Sequence, residues 1–156
     1  PTCAMAQAEN ICAGLSALYP EYQPIFEENL SELLTDLTSL RDYGTEALSE
    51  LSSREILTFH DGFAYLAEEF GIEIVEAIEE ESGAEASAKE LIHLIGEVRH
   101  HDIGAIFVEE NGSGSAAAII AAETGAKCGT LHMAMSGDDY FRAMYANIDA
   151  LKEALK

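Results

Sequence analysis

Basic residues are scarce in this 156-residue chain: eight lysines and arginines face 29 aspartates and glutamates, for a formal charge of -21. Such a surface repels nucleic-acid phosphates and anionic lipid, so neither is a partner to expect, and it draws cations toward the protein. Cysteine is scarce as well. Cys3, Cys12 and Cys128 are too few and too scattered for a disulfide framework or a Cys-x-x-Cys metal site. Cys3 and Cys12 fall on one helical pattern, about 13 Å apart along its axis, and are out of each other's reach. The compartment stays open on this count. No run is long and apolar enough to cross a membrane, and no signal peptide is legible. A Gly-x-Ser-x-Gly elbow, which would expose a nucleophile, is missing, so a hydrolase of that type is not expected. The chain opens on Pro1 inside a helical pattern and is expected to be a piece of a longer protein.

What is present is apolar residue enough for one core, 48% of the chain. Met5, Ala8, Ile11, Cys12, Leu15 and Leu18 recur at helical spacing, and Pro20 and Pro24 interrupt the pattern. A second helix is predicted over about residues 22–49, with Ile25, Phe26, Leu30, Leu33, Leu37 and Leu40 on one face. At about 40 Å it exceeds the width of so small a domain, so it is expected to reach toward something else. From residue 54 the pattern changes. Short β-leaning runs at 55–59, 72–77, 105–108 and 127–131 each lead into a helical pattern, with Gly71 and Gly125 placed to end two of the helices. The expected division is a helical segment over 1–53 and a βα-repeat lobe over 54–156. Four βα units in succession imply an α/β fold, a four-stranded parallel sheet flanked by helices, with right-handed crossovers.

Parallel strands present their carboxyl ends along one edge, where ligands of open α/β sheets bind. Four residues leave that edge: His60, Glu76, Glu109 and His132. Two imidazoles and one or two carboxylates suit zinc, and manganese or iron(II) less selectively. His60 and His132 are the predicted metal ligands, with Glu109 supporting them by holding a histidine tautomer or by occasional ligation. Asp61 is expected to cap the helix that follows. A protonated ring cannot coordinate, so binding would weaken as pH falls through the imidazole range. His93, His100 and His101 lie on the helical pattern that follows the acidic run at 79–85, or at its end, where capping is the expected role of the last two. Met133 and Met135, beside His132, read as cleft filling. Gly112 to Ala117 has the form G-x-G-x-x-A of a dinucleotide fingerprint, which makes a nucleotide-binding α/β domain one alternative; a domain without metal function whose long amino-terminal helices pair with a partner or another copy is the other. Against the nucleotide reading, the following strand ends in His132 where the fingerprint needs an acid for the ribose.

The segment Phe59-His60-Asp61-Gly62-Phe63-Ala64-Tyr65, the run Ala88-Lys89-Glu90-Leu91 leading to Ala105-Ile106-Phe107-Val108-Glu109, and Glu123-Thr124-Gly125-Ala126-Lys127 together resemble the carboxyl-terminal lobe of the zinc/manganese solute-binding proteins of ABC transporters, a family of metal-binding lipoproteins and adhesins. The resemblance runs from the first helix to Lys156. It implies one lobe of a two-lobe metal-binding protein, preceded by the long helix that joins the lobes. It also implies an extracytoplasmic protein that captures zinc, or less readily manganese, for an ABC permease and does no covalent chemistry. The position of His60 carries a His or Glu ligand in that family; the position of His132 often carries an Asp. A second imidazole there favours zinc over manganese. The amino-terminal lobe has no counterpart in the chain, so half of a site is expected, together with an apolar patch on the long helices through which the chain would self-associate.

Overall fold

Two stripes of apolar residues, interrupted by proline, fold the beginning of the chain as consecutive helices. The computed structural model describes residues 1–78, 87–110, 112, 114–133 and 139–156. It divides into two compact units, Pro1–Glu46 and Ala47–Lys156. In the first, α1 (Thr2–Leu18) ends where the Tyr19 amide donates to Leu15 O at 2.8 Å. Pro20 then opens a single 3-10 turn, Pro20–Tyr22, where its missing N–H costs nothing. The second helix, α2 (Gln23–Ala47), is 25 residues long. None of the α1 residues is buried, and Ile11 and Leu18 are 61% and 72% exposed. A groove of about 360 Å³ lies between the two helices, lined by Ile11, Leu15, Phe26, Leu30 and Leu33 among others.

The second unit is the βα repeat: β1 (Glu55–Thr58), α3 (Ala64–Phe70), β2 (Glu73–Ala77), α4 (Ala88–His100), β3 (Ala105–Glu109), α5 (Ser115–Thr124), β4 (Lys127–Leu131) and α6 (Tyr140–Leu155). All strand pairs are parallel and the order is β2-β1-β3-β4. The α/β fold with a four-stranded parallel sheet, expected from the sequence, is the fold observed. Because β2 lies outside β1 and the chain then crosses back to β3, the winding reverses between β1 and β3. With right-handed crossovers, the helices after these two strands lie on opposite faces and open a crevice at the carboxyl ends.

Side chains of β4 show the two faces directly. Cys128 Sγ approaches Ala117 O of α5 at 3.5 Å, whereas its neighbour Lys127 donates from Nζ to Glu153 O of α6 at 3.1 Å. On the first face Leu57, Phe59 and Ile106 pack with Leu94 and Val98 of α4 and Ala116, Ala117 and Ile120 of α5. On the second, Phe107 is fully buried, and a Cβ at Gly129 would stand 2.4 Å from its ring, so glycine is the residue that lets the ring lie on β4. Gly71 and Gly125 end α3 and α5 with φ of 64° and 82°, as expected of left-handed helix caps. Arg54 ties the entry of the sheet together, donating to Leu48 O and Phe70 O at 2.8 and 2.9 Å.

One local expectation is corrected. The turn after β1 is a 3-10 turn, Asp61–Phe63, and its cap is His60 rather than Asp61. The acidic run at 79–85 lies outside the described residues, as do Asn111, Ser113 and Met135.

Candidate metal centre

His60 stands one residue beyond Phe59, whose amide still donates to Phe107 O at 2.9 Å as an extra rung of the sheet. Its carbonyl accepts from the fully buried Thr58 hydroxyl at 3.0 Å. Its ring leans edge-on to Phe63, with centroids 6.2 Å apart. Nδ1 accepts the Gly62 amide proton at 2.8 Å, which is how an imidazole comes to cap the turn. With that lone pair engaged, a neutral ring carries its proton on Nε2.

His132 follows the last paired residue of β4. Its Nδ1 is 2.9 Å from Glu110 Oε2. An ionised carboxylate only accepts, so Nδ1 donates and, in the neutral ring, Nε2 keeps its lone pair, the form in which a histidine ligates a metal. The backbone of His132 is held by a single side chain on α6: its N–H donates to Asn147 Oδ1 at 2.7 Å and its carbonyl accepts from Asn147 Nδ2 at 2.8 Å. Asn147 is 1% exposed.

Register explains which residues meet. Glu109 pairs with Leu131, so Glu110 and His132 are each one residue further and leave the same side of the sheet. Glu109, supposed to support a histidine, lies on the other side with Leu131, and its carbonyl accepts from Gly112 N at 2.9 Å where β3 turns away. Extending the β1–β3 pairs from Thr58↔Phe107 sets His60 level with Glu109. The chain beyond β4 then reaches back across the end of β3: a Cβ on Gly62 would stand 2.6 Å from Met133 Sδ and 2.8 Å from His60 Nδ1. Met133 therefore fills the gap between the two strand ends. Among the described residues no three His, Cys, Asp or Glu side chains converge tightly enough to hold an ion.

Glu110 and Asn147 were missed by sequence reasoning. Extending the strand alternation one residue past β3 picks out Glu110. A polar residue among Met144, Ile148 and Leu151 on the apolar stripe of α6 signals a buried partner for Asn147.

Glu76, expected at the same edge, is drawn away from it. Its Oε1 is 3.7 Å from Nε2 of His93, whose Nδ1 is 4.0 Å from Glu97 Oε1. His101 likewise stands between Glu97 and Glu55, at 3.7 and 3.9 Å. Carboxylates on opposite nitrogens of each ring diverge, so this row along α4 does not focus on one point. All three cysteines are free, and partial burial raises the Cys128 thiol above its ordinary pKa, which disfavours the thiolate a metal would need.

Imidazole nitrogens at two strand ends, one of the rings with a carboxylate on its second nitrogen, are donors of the type zinc takes. The comparisons with known proteins agree. The family model described as zinc-uptake complex component A, periplasmic, matches residues 1–154. Zinc-binding lipoprotein AdcA of Streptococcus pneumoniae is 32% identical over 161 residues, covering 98% of this chain and 32% of that protein. The metal-dependent lipoprotein YcdH of Bacillus subtilis superposes with a TM-score of 0.84 at 29% identity, covering 100% of this chain and 62% of that one. A point mutant of a periplasmic metal-binding protein from Candidatus Liberibacter asiaticus, in its manganese-bound form, gives 0.83 at 26% identity, covering 99% and 61%. The chain thus spans a third to under two thirds of these relatives.

Proposed function

The chain belongs to the family of periplasmic zinc-uptake components, and from that premise we propose that it is the carboxyl-terminal lobe of an extracytoplasmic solute-binding protein that captures zinc, and less readily manganese, for an ABC permease. It binds and releases the ion without covalent chemistry. His60 and His132 are the nitrogen ligands, from strand ends on either side of β3, and Glu109 lies level with His60 as a supporting carboxylate. The gap between those strands is two interstrand spacings, about 9.5 Å. His60, level with Glu109, and His132, level with Glu110, leave opposite sides of the sheet, so an ion bridging them would sit over the end of β3, with water or a second lobe supplying the remaining positions.

The observation that carries this reading is the meeting of the β1 and β4 ends, where Met133 packs on Gly62 beside His60. The test is calorimetric titration with zinc of the wild-type chain, His60→Ala and His132→Ala. Each substitution should weaken binding at least about tenfold, with the circular dichroism of the metal-free protein unchanged and its melting temperature lowered only slightly in His60→Ala, which loses the cap on Gly62. Undiminished affinity in both variants rejects the assignment.

The exposed apolar face of α1 and α2 supports self-association as part of the same proposal. Sedimentation velocity across a hundredfold range of concentration should then show a shift from monomer to dimer that Ile11→Glu abolishes. A constant monomer removes this part of the proposal.

A further inference from the structure

Resting on the reading that His132 is a metal ligand, we propose that Glu110 and Asn147 form a clamp that presents Nε2 of His132 as a preset nitrogen donor for zinc. Three separate elements supply the parts. Glu110 is anchored beyond β3 by its own amide, which donates to Leu131 O at 3.2 Å, and its carboxylate receives the Nδ1 proton of His132 at 2.9 Å. Asn147, from the middle of α6, spends both halves of its amide on one residue, accepting from the His132 N–H and donating to the His132 carbonyl. Two antiparallel bonds between one amide and one backbone fix where the ring starts, and the carboxylate fixes which nitrogen is left open.

A purely structural role does not account for this arrangement. Capping the end of β4 needs one bond to the backbone, whereas Glu110 contributes nothing to the backbone of His132 and addresses only its ring. The half-buried carboxylate–imidazole pair sits on a rim that faces solvent, where an ion pair alone adds little stability. Its specific effect is on the tautomer. His60 shows the contrast, since its Nδ1 accepts from Gly62. Ligation through Nε2 of His60 requires the ring proton to move to Nδ1 and the Gly62 bond to be given up, so the two imidazoles are unequal: His132 is ready and His60 must exchange a bond. Glu110 and Asn147 are positioning residues, acting on the ion through His132.

The test pairs a metal-free readout with a metal-binding one. Long-range proton–nitrogen NMR spectra of the histidine rings at neutral pH should show His132 with its proton on Nδ1. Glu110→Gln, whose amide oxygen still accepts, should retain that form, and Glu110→Ala should lose it. Zinc titration should follow the same order, with a loss of about 10- to 100-fold in Glu110→Ala and a smaller loss in Glu110→Gln. Asn147→Asp keeps the shape and one of the two bonds; it should lower zinc affinity while the ring stays protonated on Nδ1. If the melting temperature shows that Asn147→Asp is unfolded, Asn147→Ser, which keeps a hydroxyl acceptor for the His132 amide, takes its place. A wild-type ring protonated on Nε2, or Glu110→Ala with unchanged tautomer and affinity, overturns the clamp whatever His60→Ala does. Undiminished zinc affinity in His132→Ala overturns the ligand reading instead, and the measured tautomer distinguishes that failure from the other.

Discussion

The same ring nitrogen does opposite work in His60 and His132: in one Nδ1 takes a proton from a backbone amide, in the other it gives one to a carboxylate. That difference follows from what surrounds each strand end. After β1 the chain turns at once, and the nearest partner for the ring is the Gly62 amide; after β4 the nearest partner is a side chain from the neighbouring strand. Both histidines could be singled out because a strand followed by a helix is visible in periodicity, and Glu109 because it ends β3; Glu110 could not, since consecutive strand residues face opposite ways and only the register shows that the contact partner of His132 is Glu110. Gly129 illustrates a residue whose reason lies wholly outside local sequence. Its absent side chain is the space occupied by Phe107, so Gly129→Ala should destabilise the fold by about 1–3 kcal/mol through overpacking, read as a lower urea midpoint with an unchanged slope. A midpoint equal to wild type would show that the ring gives way freely.

At the scale of elements, strands and helices were legible almost throughout, because buried parallel strands are short apolar runs and the helices are amphipathic or end in glycine. What periodicity could not give was the order of the strands. The reversal between β1 and β3 is a tertiary fact, and it is what brings the end of β1 next to that of β3, with the end of β4 one strand further on. The start of α4 is an element whose stability has a predicted acid response. Ser87 Oγ accepts from the Glu90 amide and Glu90 Oε2 accepts from the Ser87 amide at 2.7 Å, and these bonds with Ser87 hold the Glu90 carboxyl below its ordinary pKa. A depressed carboxyl pKa stabilises the folded form above the ordinary glutamate range, and the contribution is lost as pH falls through the lowered value. Hydrogen exchange at the Ser87 amide should therefore be slowed at neutral pH and accelerate, relative to intrinsic rates, in strong acid. In Glu90→Gln that extra acceleration should vanish. An identical acid response in the variant would show that the capping box is not its source.

For the molecule as a whole, an excess of acidic residues that repels polyanions also raises the concentration of divalent cations near it, a benefit to a metal-capturing protein that salt screens beyond about 8–10 Å. The family was legible from the stretch around His60 together with the later strands, since the residues at a binding edge carry more information than those of a core. How much of a complete site the chain holds was less so: it spans 62% or less of the relatives compared with it, and its described residues hold no three-membered set of His, Cys, Asp or Glu ligands. The central claim is that one divalent ion binds where β1 and β4 end. Soaking crystals of the chain in zinc and recording anomalous differences on both sides of the zinc absorption edge tests it most directly. The predicted result is a peak about 2.0–2.1 Å from Nε2 of His132 and of His60; a peak on the His93–Glu76 row of α4, or none at the carboxyl edge of the sheet, would contradict it.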